Sequence, residues 1–201
     1  MGKGMTLRHR FEVRELSLAQ IRSVYSERMT RDFPPDELKP LQAIERALER
    51  GVYACYGAMD GTEVLAYAFF VNLSEPGGRY ALLDYYAVRQ ELRGQGVGSR
   101  FIQALMAGPL REMDCVLLEV DDPACAETAE DLSARTRRMD FYLRNGLRDT
   151  SVTAEVYRVK YRILTLPLGS MSSVEESRRI YAALYRAILP EGVYESMVRI
   201  Y

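Results

Sequence analysis

The run Leu82–Ser99, LLDYYAVRQELRGQGVGS, joins an apolar, aromatic segment to a glycine-rich turn, and Ser99–Met106 follows with helical periodicity. A buried strand that feeds such a turn at a helix start requires a sheet and a helix packed on each other. It also makes an anion site. The first N–H groups of a helix have no intrahelical acceptor, the helix dipole favours negative charge there, and glycine lets a ligand approach the backbone closely. Spacing narrows the choice of anion. A dinucleotide fingerprint needs glycine at the first, third and sixth positions, and counting from Gly94 the sixth is Ser99. A P-loop ends in Gly-Lys-Ser/Thr, and no lysine stands here. The pattern that fits is Gln/Arg-x-x-Gly-x-Gly/Ala, met by Arg93, Gly96 and Gly98.

Around this turn the periodicities predict a regular succession. Arg8–Arg14 alternates as a first strand. Ser17 is a helix cap before Leu18, Ile21, Val24, Tyr25 and Met29, and Phe33-Pro34-Pro35-Asp36 ends that helix. Leu41, Ile44, Ala47 and Leu48 mark a second helix closed by Gly51. Val52–Ala58 and Glu63–Asn72 flank Asp60-Gly61, a hairpin signal, and Arg79–Val88 is the central strand. After the helix that Gly108-Pro109 stops come a strand at Cys115–Val120, an acidic loop at Asp121–Glu130 and a helix at Leu132–Asn145 with Gly146 as its cap. Val152–Leu166 reads as one extended segment and Pro167–Ser172 as a linker. Ser173 with Glu176 caps a helix to about Leu189, and Val193–Tyr201 reads as a last strand. The expected class is α/β (α+β): a mixed, mostly antiparallel central sheet with helices on both faces and an extra C-terminal helix and strand. The expected division is a domain over residues 1–166 and a C-terminal extension over 167–201, packed on that domain or on a dimer partner.

Composition excludes several classes. With 201 residues and a formal net charge of −1, the chain offers no electrostatic reason to bind nucleic acid or an anionic membrane. No apolar run reaches the roughly 18–20 residues that span a bilayer, and the first residues lack the apolar stretch of a signal peptide. Met1-Gly2 with Thr6 fits a myristoylation pattern only superficially. The three cysteines, Cys55, Cys115 and Cys125, form no ligand cluster with the single His9, so no metal is expected. An odd, scattered cysteine set suits a reducing cytoplasm. His9 reads as a surface residue at a strand edge.

The segment AVRQELRGQGVGSRFIQAL closely resembles the acetyl-CoA pyrophosphate turn of the GNAT superfamily of N-acyltransferases. The order of elements over about Phe11–Tyr161 is similar too, while the tail from Ile163 onward matches nothing general to that superfamily. The resemblance implies that Arg93, Gly94, Gln95, Gly96, Val97, Gly98 and Ser99 clasp the pyrophosphate of acetyl-CoA. It implies that Ala87 and Val88 offer strand backbone to the pantetheine arm. The run FYLRNGL from Phe141 resembles the family's helix-ending pattern, which makes Tyr142 the candidate acid that protonates the leaving thiolate and a contact of the cofactor. The family often has an asparagine seven residues earlier that contacts the pantetheine arm; here that position is Arg135, which the resemblance makes a cofactor contact.

Acyl transfer to an amine also needs a proton acceptor. Asp84 lies four residues before Val88 on the same strand and so shares its face, and a carboxylate within so apolar a run is costly unless paired. Glu119 on the fifth strand is its competitor, and deprotonation through water or with no base is the third route. Tyr85 and Tyr86 alternate in facing, and Phe33 with Asp36–Leu38 falls in the loop that shapes the acceptor site in the family. The acidic run Asp121, Asp122, Glu127, Glu130 and Asp131 is either a lure for a cationic amine or a solvated loop. Cys125 has no histidine beside it in sequence to activate it as a nucleophile. These readings lead to an acyl-CoA-dependent N-acetyltransferase that acts on a small-molecule amine by direct attack in a ternary complex. The alternatives are a catalytically silent acetyl-CoA sensor and a partner-binding protein whose C-terminal helix and strand extend a sheet across a homodimer.

Overall fold

The computed structural model describes residues 10–35, 37–168, 173–190 and 192–201. The readings placed on Met1-Gly2, His9 and Asp36, and on most of the expected linker, lie outside these residues. The strands are β1 (Glu12–Glu15), β2 (Tyr53–Asp60), β3 (Glu63–Glu75), β4 (Gly78–Val88), β5 (Cys115–Asp121), β6 (Arg148–Val156), β7 (Val159–Pro167) and β8 (Val198–Ile200). The helices are α1 (Leu18–Val24), α2 (Thr30–Asp32), α3 (Leu41–Glu49), α4 (Val97–Ala107), α5 (Ala129–Arg144), α6 (Val174–Ile188) and α7 (Val193–Met197). The strands form one sheet in the order β1-β2-β3-β4-β5-β7-β6-β8. It is mixed: β4 and β5 are parallel, whereas β1–β2, β5–β7, β6–β7 and β6–β8 are antiparallel. The expected fold class is the observed one. The chain divides into two compact units, one of residues up to Phe69 with Tyr85–Leu110, the other of Phe70–Asp84 with Arg111–Tyr201. β3 and β4 each pass from one unit to the other.

In the first unit Ser17 caps α1 through a reciprocal pair with Gln20. The helix does not run on regularly to Met29. Tyr25–Met29 is a π-helical turn, in which the Thr30 N–H reaches the Tyr25 carbonyl. The wider turn explains the five-residue step between buried Val24 and buried Met29, which a regular helix would not keep on one face. Tyr86 stacks on Phe101 of α4 with ring centroids 5.7 Å apart, and Phe11 meets Phe101 edge-on at 6.1 Å. These contacts fix α4, and with it the glycine turn, against the strands. Burying the Phe101 ring contributes roughly 1.5–3 kcal/mol.

In the second unit the expected single extended segment at Val152–Leu166 is instead two strands, β6 and β7. They are joined by Tyr157-Arg158, whose φ values of 49° and 72° are both positive, and Val156 pairs with Val159 across the turn. Positive φ at both central residues is the geometry of a type I′ hairpin, normally built with Asn-Gly. Farther along, β6 bulges. Between the pairs Asp149↔Leu164 and Thr153↔Arg162 it advances four residues while β7 advances two. Thr150 fills the gap by donating its hydroxyl to the Ile163 carbonyl at 2.7 Å and accepting from the Val152 N–H. The acidic segment is also more ordered than a solvated loop. Asp122 caps a short 3-10 turn at Pro123–Cys125, and Thr128 caps α5, which begins at Ala129 rather than Leu132. The expected last strand is mostly helix: α7 leaves only three residues for β8, which pairs with β6 of its own chain. Ser173 caps α6 as the sequence indicates, accepting from the Glu176 N–H at 3.1 Å.

Candidate active site

Gly96 is the N-cap of α4, with φ at 77°, and Gly94 has φ at 75°. Both sit in the left-handed region, which costs a residue with a Cβ about 1–2 kcal/mol. A Cβ at either position would meet no protein atom within 4 Å, so space beside the turn is open. The first intrahelical bond runs from the Arg100 N–H to the Gly96 carbonyl. The N–H groups of Val97, Gly98 and Ser99 precede it and point outward from the helix start. Tyr86 donates to the Gly98 carbonyl at 2.6 Å, and the Gln95 side chain folds back onto the Glu91 carbonyl. The turn is thus braced from behind, with its donors facing the open side.

Arg93 is held at two points. Its Nε donates to the Val88 carbonyl at 3.0 Å and its Nη2 pairs with Asp32 at 2.8 Å. The side chain stays about half exposed at 53%. Tyr67 donates to the other Asp32 oxygen at 2.8 Å, and burial together with that bond pushes the Tyr67 phenol far above its usual range. Arg28 lies over the Tyr67 ring at 4.8 Å, with its own pKa lowered by desolvation. Sequence reasoning named Arg93 but not Asp32, Tyr67 or Arg28. The only sequence signal was the i,i+4 pair Arg28/Asp32, which the π-helical turn complicates. Val88 ends β4 and Ala87 is buried beside it. Tyr85 and Tyr86 do alternate. Tyr85 accepts from the Lys39 N–H, donates to the Glu37 carbonyl and meets Phe33 edge-on, so it pins the segment that follows α2.

The acid and base candidates belong to the second unit. Tyr142 is fixed by a helix end of the Schellman type: the Leu147 N–H reaches the Tyr142 carbonyl, the Gly146 N–H reaches Leu143, and Gly146 has φ at 96°. Its ring is buried edge-on to Phe141, and desolvation pushes its phenol up to about 12. Arg135 is occupied within α5 and its approach. It pairs with Asp131 at 2.8 Å and donates to the Asp122 carbonyl at 3.1 Å. Asp121 is likewise paired, with Arg138 at 2.5 Å. Two acids of the run, Asp121 and Asp131, are therefore balanced locally by arginines of α5.

Asp84 and Glu119 are brought side by side. The parallel register Tyr80↔Cys115 through Leu83↔Leu118 makes them the next residues along β4 and β5, on one face. Two hydroxyls converge on Glu119 Oε1: Tyr185 donates at 2.6 Å, and Tyr181 donates as well. Burial, followed by the Glu119 charge, raises both phenols well above their usual value, and the Asp84 charge adds to the rise at Tyr185. Sequence reasoning missed these tyrosines. They flank the apolar stripe of α6 at i,i+4, and nothing local links them to a carboxylate more than sixty residues away. Among the described residues no His/Cys/Asp/Glu cluster could hold a metal, and no helix is long and apolar enough to cross a membrane.

Sequence and structure comparisons show the family and the fold. The profile of the acetyltransferase (GNAT) family matches residues 18–128, more than half of the chain. The chain belongs to the GNAT acetyltransferase family. Among solved GNAT structures, a putative acetyltransferase from Bacteroides thetaiotaomicron superposes with a TM-score of 0.65 at 17% identity, covering 87% of this chain and 96% of that one. The ribosomal-protein-S18-alanine N-acetyltransferase from Escherichia coli gives a TM-score of 0.56 at 17% identity, over 80% and 95%. An aminoglycoside 6'-N-acetyltransferase complexed with coenzyme A gives 0.58 at 15% identity, over 80% and 99%. At these identities the structural likeness carries the GNAT fold alone. A sequence comparison with curated proteins finds no match.

Proposed function

We propose that this GNAT acetyltransferase transfers the acetyl group of acetyl-CoA to a primary amine of a small molecule, by direct attack in a ternary complex. The observation that carries the reading is the turn at Gly94–Ser99, where two left-handed glycines, an open approach and the outward N–H groups at the start of α4 suit a pyrophosphate. Arg93, steadied by Asp32 and the Val88 carbonyl, adds a guanidinium to that cradle. Ala87 and Val88 offer backbone to the pantetheine arm. Bound acetyl-CoA supplies an activated thioester. The amine nitrogen attacks its carbonyl carbon, and the proton it loses passes to Glu119 or Asp84, directly or through water. The tetrahedral intermediate then collapses, the C–S bond breaks, and Tyr142 protonates the departing thiolate. A phenol raised to about 12 stays protonated at neutral pH and so remains a donor.

The near-neutral charge favours a small acceptor over nucleic acid, and an odd, scattered set of three cysteines favours a reducing cytoplasm. Isothermal titration with acetyl-CoA, followed by thiol release across spermidine, tyramine, lysine, kanamycin and an alanine-starting peptide, tests the reading. Saturable binding with CoA release on a small amine supports it. Binding with no release by any amine supports the sensor instead, and absence of binding removes both.

A further inference from the structure

The C-terminal helix α6 brings two tyrosine hydroxyls to one carboxylate oxygen. Tyr181 is fully buried and Tyr185 is 4% exposed, and their rings tilt against each other with centroids 5.0 Å apart. Glu119 differs from them. Between buried Leu118 and buried Val120 it is only partly buried, so its carboxylate is gripped from inside while retaining some access to solvent. Two phenols sunk in a core are costly unless hydrogen-bonded, and here each hydroxyl donates a hydrogen bond to Glu119 Oε1. Ser177, one turn before Tyr181, is buried as well, and α6 packs on β6, so the helix that presents the tyrosines is itself anchored. Across the sheet, the Glu119 backbone position pairs with fully buried Ile163 of β7. The carboxylate is thereby carried by a strand inside the sheet and bonded by two side chains of α6.

We propose that Tyr181 and Tyr185 are positioning residues, which hold Glu119 by Oε1 in the orientation from which its carboxylate receives the proton of the acceptor amine. The proposal rests on the acyltransferase reading and deepens it: it selects Glu119 over Asp84 and makes the C-terminal extension part of the catalytic apparatus. A group held within a fraction of an ångström accepts a proton far better than one that wanders, and a displacement of about 1 Å can cost a hundredfold in rate.

The test is a double-mutant cycle on the full chain, with thiol release from acetyl-CoA and the best amine of the panel as readout. Glu119→Gln is combined with Tyr181→Phe/Tyr185→Phe, which keeps both rings and removes both hydroxyls. The tyrosine variant should lose about tenfold to a hundredfold in kcat, with the amine KM and the acetyl-CoA Kd within about threefold of native. In the Glu119→Gln background the same substitutions should change kcat by less than about twofold, because tyrosines that act only through Glu119 have nothing left to position. Multiplying effects in the two backgrounds, or native kcat in the tyrosine variant, overturns the proposal and leaves the acyltransferase intact. A native chain that releases no CoA with any amine overturns both. If the double variant does not fold, Tyr181→Phe and Tyr185→Phe enter the same cycle singly and are judged by the same two outcomes.

Discussion

Replacing Gly96 tests the donor site with an unusually clean control. Gly96 sits at φ 77°, and a Cβ there meets no protein atom within 4 Å, so the folded turn accepts a side chain sterically and resists it only through backbone strain. Asn and Asp tolerate the left-handed region better than other residues with a Cβ, and they have nearly the same shape. Gly96→Asn and Gly96→Asp should therefore lose similar stability, no more than about 1–2 kcal/mol, or roughly 2–8 °C in Tm for a chain of this size. They differ in one negative charge. Between unit charges about 4 Å apart, repulsion is roughly 1 kcal/mol in water and about 4 kcal/mol in a partly shielded cleft. The Asp variant should accordingly bind acetyl-CoA about fivefold to several hundredfold more weakly than the Asn variant. Isothermal titration at low and high salt measures the gap, and added salt should narrow it. Equal affinities in two folded variants would refute the placement of a phosphate beside Gly96.

Arg93→Ala removes a charge-assisted donor and should weaken acetyl-CoA binding about tenfold to a hundredfold. It should cost little stability, because Arg93 is half exposed and Asp32 keeps the hydrogen bond from Tyr67; an unchanged Kd would count against the cradle. Tyr142→Phe should lower kcat about a hundredfold or more at pH 7 while leaving the acetyl-CoA Kd near native. The same variant has a pH signature. The native phenol near 12 lies above the value of about 10 in the unfolded chain, so the stability it contributes is complete below pH 10 and is lost as pH rises towards 12. Denaturation curves should show the variant losing less stability than the native chain over that window. Tyr157→Asn with Arg158→Gly relieves two positive φ angles at an exposed hairpin tip and should raise Tm by about 2–4 °C; an unchanged or lower Tm would contradict the strain.

What the sequence revealed was local. The Gly94–Gly98 turn, the caps Ser17 and Ser173, the hairpin at Asp60-Gly61 and the stop at Gly146 each follow from a residue type whose conformational preference acts within a few positions. The β6–β7 hairpin was hidden because Tyr157-Arg158 carries none of the Asn-Gly chemistry its geometry calls for. α7 was hidden because Val193–Met197 is short, and its β-branched and aromatic residues mimic a strand. Of the candidate site, Arg93, Tyr142, Asp84 and Glu119 are candidates the sequence offers by residue type and position. Their partners are not: Asp32 lies 61 residues from Arg93, and Tyr185 lies 66 from Glu119. Only the folded chain brings such pairs together.

The bulge in β6 has a consequence for how this protein tolerates change. A strand has a reading frame of two, since each added or removed residue exchanges its inner and outer faces. β6 carries two surplus residues opposite β7, an even insertion, so Thr150 and Val152 within the irregularity and Ala154 and Val156 beyond it all remain buried. The strand bends while its frame is preserved. Removing a pair of residues there should leave the core in register, whereas removing one should turn Val152, Ala154 and Val156 towards water and expel them from the interior.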